Sequence, residues 1–347
     1  LFSLIMLVSM LFIGTANAET TAPSSYVIDG SKLHTIYGSS YLSGSQYIDI
    51  QFKKTTDGKI IYCIERSKAP IGSGTTEKYT LQKELSSKVA YVMENGYPNK
   101  SIFGNADKDY YTTGLAIWYV INPNDSTFEY FNLANGTYRG NSSDIVVEMA
   151  KLVNGANSYS YTNPSIKINN SNSNLSLSSD GKYYVSSSMG VKTTGTVGNY
   201  TVSLSNAPEG TIVTDTKGNA KTTFATNESF LVKVPVSNVK KISNEFQVNV
   251  SAKGTINKAY AYTSTRSNVQ NTGALYPENS NVNDSTTVKL NVVTVVEISK
   301  VDVTTGEELA GAHLELKDEK GNLIEAWVST NESHVIEGLA PGKYTLT

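Results

Sequence analysis

Alternating apolar and polar residues predict a β-hairpin early in the chain. A strand-like run over Tyr47–Phe52 is followed by the pair Asp57-Gly58 and by a second run over Lys59–Ile64. An Asp-Gly pair between two such runs is a strong hairpin signal. Cys63 is the only cysteine of the chain, and this pattern predicts that it lies near the end of a sheet strand.

Apolar residues at helical spacing predict three helices after the hairpin. The first is expected over Leu81–Met93 and ends before Asn95-Gly96. The second, Tyr110–Val120, is apolar nearly all round, which is typical of a buried helix. The third covers Ile145–Ala156 and follows Ser142-Ser143-Asp144, a good capping sequence.

Beyond the third helix the pattern changes to short, frequent strands with turns between them. This pattern favours an immunoglobulin-like sandwich over 162–293, and a further small unit begins at 294. The predicted fold class is therefore mainly β and multidomain. A β-rich head with about three inserted helices, residues 19–161, precedes β-sandwich domains over 162–293 and 294–347.

The N-terminal segment has the pattern of a secretory signal peptide. A continuous apolar run, Leu1–Ile13, is followed by the small residues Gly14–Ala18. The basic start of such a signal is missing, so we expect that the sequence is truncated there. The run is too short to span a membrane in the mature protein. Residues 1–18 are therefore predicted to be removed, and the mature chain is expected to act outside the cell.

Charge and composition argue against several classes of partner. The formal net charge of the 347 residues is -2, and acidic and basic residues are interspersed. This gives no electrostatic basis for binding nucleic acid or a membrane surface. Histidine, cysteine and carboxylate residues show no metal-ligand spacing, so no metal or cofactor is expected. A single cysteine in a secreted chain is a buried bystander, an intermolecular partner or a reactive group.

Two short stretches are expected to meet in space, and they carry a family resemblance. These are Tyr62-Cys63-Ile64-Glu65 and the segment from Tyr110 to Trp118. Together with the turn at Asn95–Asn99 they resemble the thioester domain of Gram-positive surface adhesins, over roughly residues 26–160. In that family the cysteine is acylated by the glutamine of a Thr-Gln-x-Ala motif, and a ligand amine then displaces the thiolate.

The matching motif in this chain lacks the acyl donor. It reads Thr113-Gly114-Leu115-Ala116, so that Gly114 occupies the glutamine position. Glycine has no side-chain carbonyl to donate. The resemblance therefore implies the domain fold, with Cys63 as a reactive or a free thiol, but it does not supply the family's bond.

The last unit resembles the B-type repeat of collagen adhesins and SpaA-like pilins, which is a small stalk sandwich. The resemblance lies in Val296–Asp302, Thr305–Ala312 and Tyr344-Thr345-Leu346. It implies a lysine isopeptide bond, yet the usual lysine position holds Glu297. Lys300 is the nearest alternative, although its parity in the strand points it to the other side. In the preceding sandwich, Lys167 and Asn291 on the first and last strands are the pair to test.

These observations predict a secreted, cell-wall-associated adhesin that attaches non-covalently and is not an enzyme. Its expected partners are an unidentified host or surface protein ligand and peptidoglycan, the latter through an anchor beyond Thr347. One alternative is a covalent adhesin in which Cys63 bonds to another acyl donor, such as Gln46, Gln51 or Gln82.

A second alternative is a hydrolase built on Cys63. It would require a histidine within hydrogen-bond reach of the thiol and usually a third group that orients the histidine. The three histidines of the chain are His34, His313 and His334. None stands in a supporting motif, and two of them fall in the stalk-like unit.

Overall fold

The structure is a computed structural model. It describes residues 19–44, 48–170, 175–236, 243–291, 295–337, 339 and 342–347. The predicted signal peptide and Gln46 lie outside the described residues and stay predictions. In the part that is described, no helix is both long and apolar enough to cross a bilayer.

The described residues form three α-helices, all in the first half of the chain. These are α1 (Ser87–Asn95), α2 (Ala106–Ile121) and α3 (Asp144–Ser158), with three short 3₁₀ turns at Gly30–Lys32, Gly38–Ser40 and Ser126–Phe128.

The strands are numbered in chain order. They are β1 (Glu19–Thr20), β2 (Ser25–Ile28), β3 (His34–Ile36), β4 (Ile50–Lys54), β5 (Ile60–Cys63), β6 (Glu77–Glu84), β7 (Phe131–Asn132), β8 (Thr137–Tyr138), β9 (Asn141–Ser142), β10 (Ser165–Asn169), β11 (Leu175–Leu177), β12 (Tyr183–Ser186), β13 (Gly190–Thr194), β14 (Thr196–Ser205), β15 (Ile212–Asp215), β16 (Thr223–Phe224), β17 (Phe230–Pro235), β18 (Ser243–Ser264), β19 (Thr272–Asn291), β20 (Val295–Ile298), β21 (His313–Asp318), β22 (Leu323–Val328), β23 (His334–Glu337) and β24 (Tyr344–Leu346).

The predicted hairpin is confirmed as β4 and β5. The two strands are antiparallel, with Lys53 opposite Ile61. The turn between them contains Gly58 at a φ of +90°, a backbone conformation that a residue without Cβ adopts at little cost. The hairpin therefore places Cys63 at the last position of β5, as the sequence pattern predicts.

The prediction of the first helix, Leu81–Met93, was wrong in its first half. Leu81 lies in strand β6, and α1 begins only at Ser87. Leu81 is paired with Tyr262 of β18, and its N–H donates to the Ser24 carbonyl oxygen at 2.9 Å. These sheet hydrogen bonds come from segments distant in sequence, so the local spacing of leucines could not indicate them.

The second and third helices are confirmed. Helix α2 is capped by Asn105, whose side chain accepts a hydrogen bond from the Lys108 N–H at 3.0 Å. Helix α3 is capped by Ser143, which accepts from the Val146 N–H at 3.4 Å. Both caps satisfy backbone donors that a helix start leaves unpaired.

The chain divides into two compact units. The first holds the residues up to Pro164 together with Gly254–Ser280, and the second holds Ser165–Lys253 and Asn281–Thr347. The first unit thus includes the hairpin Gly254–Ser280, which begins about ninety residues after Pro164 in the sequence. The domain boundaries expected from the sequence stay predictions.

The first unit is a β-sheet covered by the three helices. Its strand order is β2-β6-β18-β19-β5-β4-β3. The end of β18 and the beginning of β19 form the hairpin Gly254–Ser280. One core lies between the helices and the sheet and includes Phe52, Tyr110 and Val146. A second, smaller core contains Ile61, Tyr79 and Tyr262. The hairpin therefore completes the sheet that holds Cys63.

The second unit is built of short strands around an apolar core. Strands β11-β12-β17-β15 form one sheet, β10 pairs with β13, and β14 lies between β16 and β18. Tyr200, Phe230 and Val248 are buried in the core between them. The last residues form the pairs β20-β23 and β22-β21-β24. The predicted fold class, mainly β and multidomain with about three helices, is confirmed.

Candidate functional site

Cys63 is held on an inner strand. It pairs with Thr272 of β19 on one side of β5, and β4 lies on the other side. The indole Nε1 of Trp118 donates to the Cys63 carbonyl oxygen at 2.9 Å. Only 4% of the residue is exposed. The backbone around the thiol is therefore fixed by two strands and by helix α2.

Helix α2 contacts β5 directly through Tyr110. Its hydroxyl donates to the Ile61 carbonyl oxygen at 2.6 Å, and its ring stacks on Tyr62 with 4.4 Å between centroids. The two stretches that the sequence analysis expected to meet in space do so.

Gly114 lies on the face of α2 that packs against the sheet. A Cβ at this position would lie 3.1 Å from Ile50 Cδ1 and 3.8 Å from Tyr62 Cδ1. Its neighbours in the motif have structural contacts. Thr113 Oγ1 donates to the Asp109 carbonyl oxygen at 2.8 Å and accepts from the Tyr97 N–H at 3.0 Å. Ala116 is fully buried.

Cys63 borders a cleft of about 490 Å³. Most of the residues that line the cleft are polar or charged, and they include Gln51 and Lys53 of β4 and Gln270 of the hairpin Gly254–Ser280. The lining residues are Thr35, Asp49, Gln51, Lys53, Cys63, Arg66, Ser67, Lys68, Pro70, Trp118, Asp125, Ser126 and Gln270. Of the two candidate acyl donors that the structure describes, Gln51 borders this cleft, whereas Gln82 is exposed on β6.

Burial shifts the pKa of two side chains that line the cleft. It raises the pKa of the Cys63 thiol, and the nearby Lys53 opposes this only in part. Burial likewise lowers the pKa of Lys53, none of which is exposed. Because the thiolate is the nucleophilic form of cysteine, Cys63 is a weak nucleophile in this environment.

Sequence reasoning missed Lys53 and Gln270. Lys53 Nζ donates to Gln270 Oε1 at 3.4 Å and to the Gln51 carbonyl oxygen at 3.5 Å. A lysine that alternates with apolar residues in a strand normally indicates a solvent-facing position, and Gln270 is 217 residues away. The burial of Lys53 could have been predicted only if the position of the hairpin Gly254–Ser280 on the sheet had been known.

The histidines have partners away from the thiol. His34 Nε2 lies 2.9 Å from Asp107 Oδ1, and His334 Nε2 lies 2.9 Å from Glu325 Oε1. His313 is exposed on β21. Among the described residues that line the cleft there is no histidine. The thiol Sγ instead donates to the Glu65 carbonyl oxygen at 3.4 Å.

The isopeptide candidates remain predictions. Lys167 Nζ contacts Asp284 Oδ1 at 2.8 Å and is largely exposed, and the side chain of Asn291 lies outside the described residues. Lys300 is half-buried and its backbone N–H donates to Glu308 Oε2 at 3.0 Å. Glu297 is hydrogen-bonded to Ser333. Over the described ranges, no group of histidine, cysteine and acidic residues could hold a metal ion.

Two parts of the chain match known family models. Residues 60–165 match the thioester domain, and residues 294–347 match the SpaA prealbumin-like fold domain. The chain carries a thioester domain and a SpaA domain. The first match includes Cys63, Gly114 and Trp118, and it ends beside Pro164, where the first of the two segments of the first unit ends.

Solved structures share the fold of the chain. The Bacillus anthracis TIE protein is 23% identical with a TM-score of 0.68, and the match covers 95% of this chain and 59% of that protein. The thioester domain of the Enterococcus faecium TIE86 protein is 20% identical with a TM-score of 0.51, over 78% of this chain and 98% of that domain. The chain thus spans less than two thirds of the Bacillus anthracis protein. The search of curated proteins gave no match.

Proposed function

We propose that this chain is the binding end of a bacterial surface adhesin. In this proposal it is secreted, displayed at the cell wall and attaches to a host or environmental surface protein. The support is the order of its domains, a thioester domain followed by a SpaA domain. Proteins with this arrangement resemble stalked adhesins, in which the terminal domain contacts the ligand and the stalk carries it away from the wall.

The proposed attachment is non-covalent. The observation that carries this part is Gly114, which stands where the resembling family has its acyl-donating glutamine. Without an acyl donor, the Cys63 thiol stores no electrophile. Cys63 then acts as a small apolar side chain between β4 and β19.

An attachment assay tests this function. Beads that carry the chain from Glu19 to Thr347 are applied to immobilised extracellular matrix proteins and then washed with a denaturing detergent. We expect attachment in buffer, complete release in detergent and the same attachment for the variant Cys63→Ala. Absence of attachment to every surface would contradict adhesion. Attachment that survives the detergent but is lost in Cys63→Ala would contradict the non-covalent mode.

One observation favours a second candidate, covalent attachment through a substitute acyl donor. Gln51 and Cys63 both line the cleft, and β4 pairs with β5 next to them, where Lys53 lies opposite Ile61. In addition, Gln51 Oε1 is buried without a hydrogen-bond partner among the described residues, and such an atom calls for an explanation.

In this candidate the Cys63 sulfur attacks the side-chain carbonyl carbon of Gln51. The Sγ–Cδ bond forms, the Cδ–Nε2 bond breaks, and the thiol proton leaves with the nitrogen as ammonia. A ligand amine would then attack the thioester and release the thiol. The variant Gln51→Asn keeps the amide but shortens the side chain. It should abolish detergent-resistant attachment if the donor is Gln51, and it should change nothing if attachment is non-covalent.

A further inference from the structure

Asn135 and Gly136 form an asparagine–glycine pair in the loop between β7 and β8. The backbone nitrogen of a residue can attack the side-chain carboxamide of an asparagine that precedes it. Glycine obstructs this attack least, because it has no Cβ. The sequence contains two further pairs of this kind, Asn95-Gly96 and Asn154-Gly155. The fold therefore decides which of the three pairs can react.

In two of the three pairs, helical structure holds the glycine nitrogen. The Gly96 N–H donates to the Val92 carbonyl oxygen at 2.8 Å, at the end of α1. Gly155 lies inside α3, where each backbone N–H donates to the carbonyl oxygen four residues earlier. Such a bond must open before the nitrogen can attack a side chain, so these two pairs react only through local unfolding of a helix.

The pair at Asn135 lacks this protection. Among the described residues, no backbone carbonyl oxygen accepts a hydrogen bond from the Gly136 N–H. Asn135 is exposed, and its own N–H donates to Asn132 Oδ1 at 3.1 Å. The carboxamide and the nitrogen that would attack it are thus both in a surface turn, outside helix and strand.

We propose that Asn135 is a site of spontaneous deamidation in the folded protein. The Gly136 nitrogen attacks the side-chain carbonyl carbon of Asn135, and the N–Cγ bond forms. The Cγ–Nδ2 bond breaks, and the proton of the attacking N–H leaves with Nδ2 as ammonia. Water then opens the five-membered imide at either carbonyl carbon, which gives aspartate or isoaspartate. The reaction does not involve Cys63 and is independent of how the chain attaches to its ligand.

The modification should disturb the start of helix α3. The Gly136 carbonyl oxygen accepts from the N–H of Ser143, the residue that caps α3. A Cβ on Gly136 would lie 2.5 Å from Val147 Cγ2, so the glycine backbone packs closely against the helix. Isoaspartate lengthens the backbone beside Gly136 by one carbon atom. We therefore expect that the aged protein unfolds at a lower temperature than the fresh protein.

Peptide mapping by mass spectrometry tests the site. The chain from Glu19 to Thr347 is aged in mildly alkaline buffer, once folded and once in denaturant, and is then digested. In the folded chain we expect Asn135 to convert to an acid at least about tenfold faster than Asn95 and Asn154, because the latter two require local opening. In denaturant all three should convert at similar rates. A folded chain in which Asn135 stays an amide, or in which all three convert equally, would overturn the proposal.

The variant Asn135→Gln tests the consequence for stability. Its longer side chain would have to close a six-membered imide, which forms much more slowly, so the mapped position should stay an amide. Ageing should then lower the unfolding temperature of the wild type but not that of the variant. An equal loss in both proteins would overturn the link between Asn135 and the start of α3.

Discussion

Gly114 is the residue on which the proposed non-covalent attachment depends. Because Gly114 has no side chain, Ile50 and Tyr62 can approach the backbone of helix α2 closely. A Cβ added to Gly114 would lie only 3.1 Å from Ile50 Cδ1. A glycine inside a helix costs about 0.5–1 kcal/mol relative to alanine. The local packing of Ile50 against the helix therefore fits a small residue at this position.

Substitutions at Gly114 should show this fit. We expect Gly114→Ala to change the free energy of unfolding by less than about 1 kcal/mol, because the gain in helix propensity offsets the contact with Ile50. Gly114→Gln should lower it by about 1–3 kcal/mol, because the added atoms overpack the core. Urea unfolding measures both values. A Gly114→Gln variant as stable as the wild type would contradict this packing argument.

A buried carboxylate should make stability depend on pH. Burial raises the pKa of Glu77, but hydrogen bonds from Ser264, Arg266 and Thr265 outweigh it, so that the pKa is lowered overall. A lowered folded-state pKa means that Glu77 stabilises the fold fully above its unfolded value of about 4.3. This stabilisation is lost as the pH falls through the folded-state pKa.

The variant Glu77→Gln tests the size of this effect. We expect it to lower the free energy of unfolding at pH 7 by about 1–3 kcal/mol, because charged hydrogen bonds are lost. The variant should also lose part of its pH dependence below about pH 4.5, measured by thermal unfolding. Glu84→Gln, on the exposed end of β6, is the control and should behave as the wild type. An unchanged pH profile in Glu77→Gln would refute this role.

At the scale of elements, the contact between α2 and the β4–β5 hairpin positions the site. The Tyr110 hydroxyl donates to the Ile61 carbonyl oxygen at 2.6 Å and also lies 3.2 Å from the Gln51 carbonyl oxygen. It thereby satisfies strand carbonyls at the point where the two strands separate. Both elements could be predicted from the sequence, because the turn and the helix cap are local signals.

Removing this hydroxyl should weaken the site without removing the helix. Tyr110→Phe leaves buried carbonyl oxygens without a donor, so we expect a loss of about 1–3 kcal/mol in the free energy of unfolding. Cys63 should also react faster with a thiol reagent in the folded protein. Tyr37→Phe, at a ring that is 59% exposed, is the matched control. Equal thiol reactivity in the two variants would argue against a positioning role.

Contacts between distant parts of the sequence explain where the sequence prediction failed. The spacing of Leu81 to Leu85 and Val89 predicts a helix, whereas its strand partner Tyr262 lies in the distant β18. The same distance hid the pair of Lys53 and Gln270. The motif residues Cys63 and Gly114 could be found from the sequence because their signals are contiguous. The rest of the cleft could not be predicted, because Gln270 comes from the later hairpin Gly254–Ser280.

At the scale of the molecule, the first unit should depend on that hairpin. Residues Gly254–Ser280 supply Tyr260, Tyr262 and Tyr276 to a core that also contains Tyr79. We therefore expect that a chain ending at Pro164 lacks cooperative thermal unfolding and exposes apolar surface, measured by circular dichroism and dye binding. The full chain from Glu19 is the control. Cooperative unfolding of the shortened chain at the same temperature would contradict the division into units.

The proposal that this chain attaches to its ligand without a thioester is tested most directly by thiol counting. The chain from Glu19 to Thr347 is incubated with or without methylamine, unfolded, and treated with a thiol reagent before its mass is determined. The account predicts that methylamine adds nothing and that Cys63 reacts fully in both samples. A Cys63 that reacts only after methylamine treatment, with the amine added to the mass, would contradict the account.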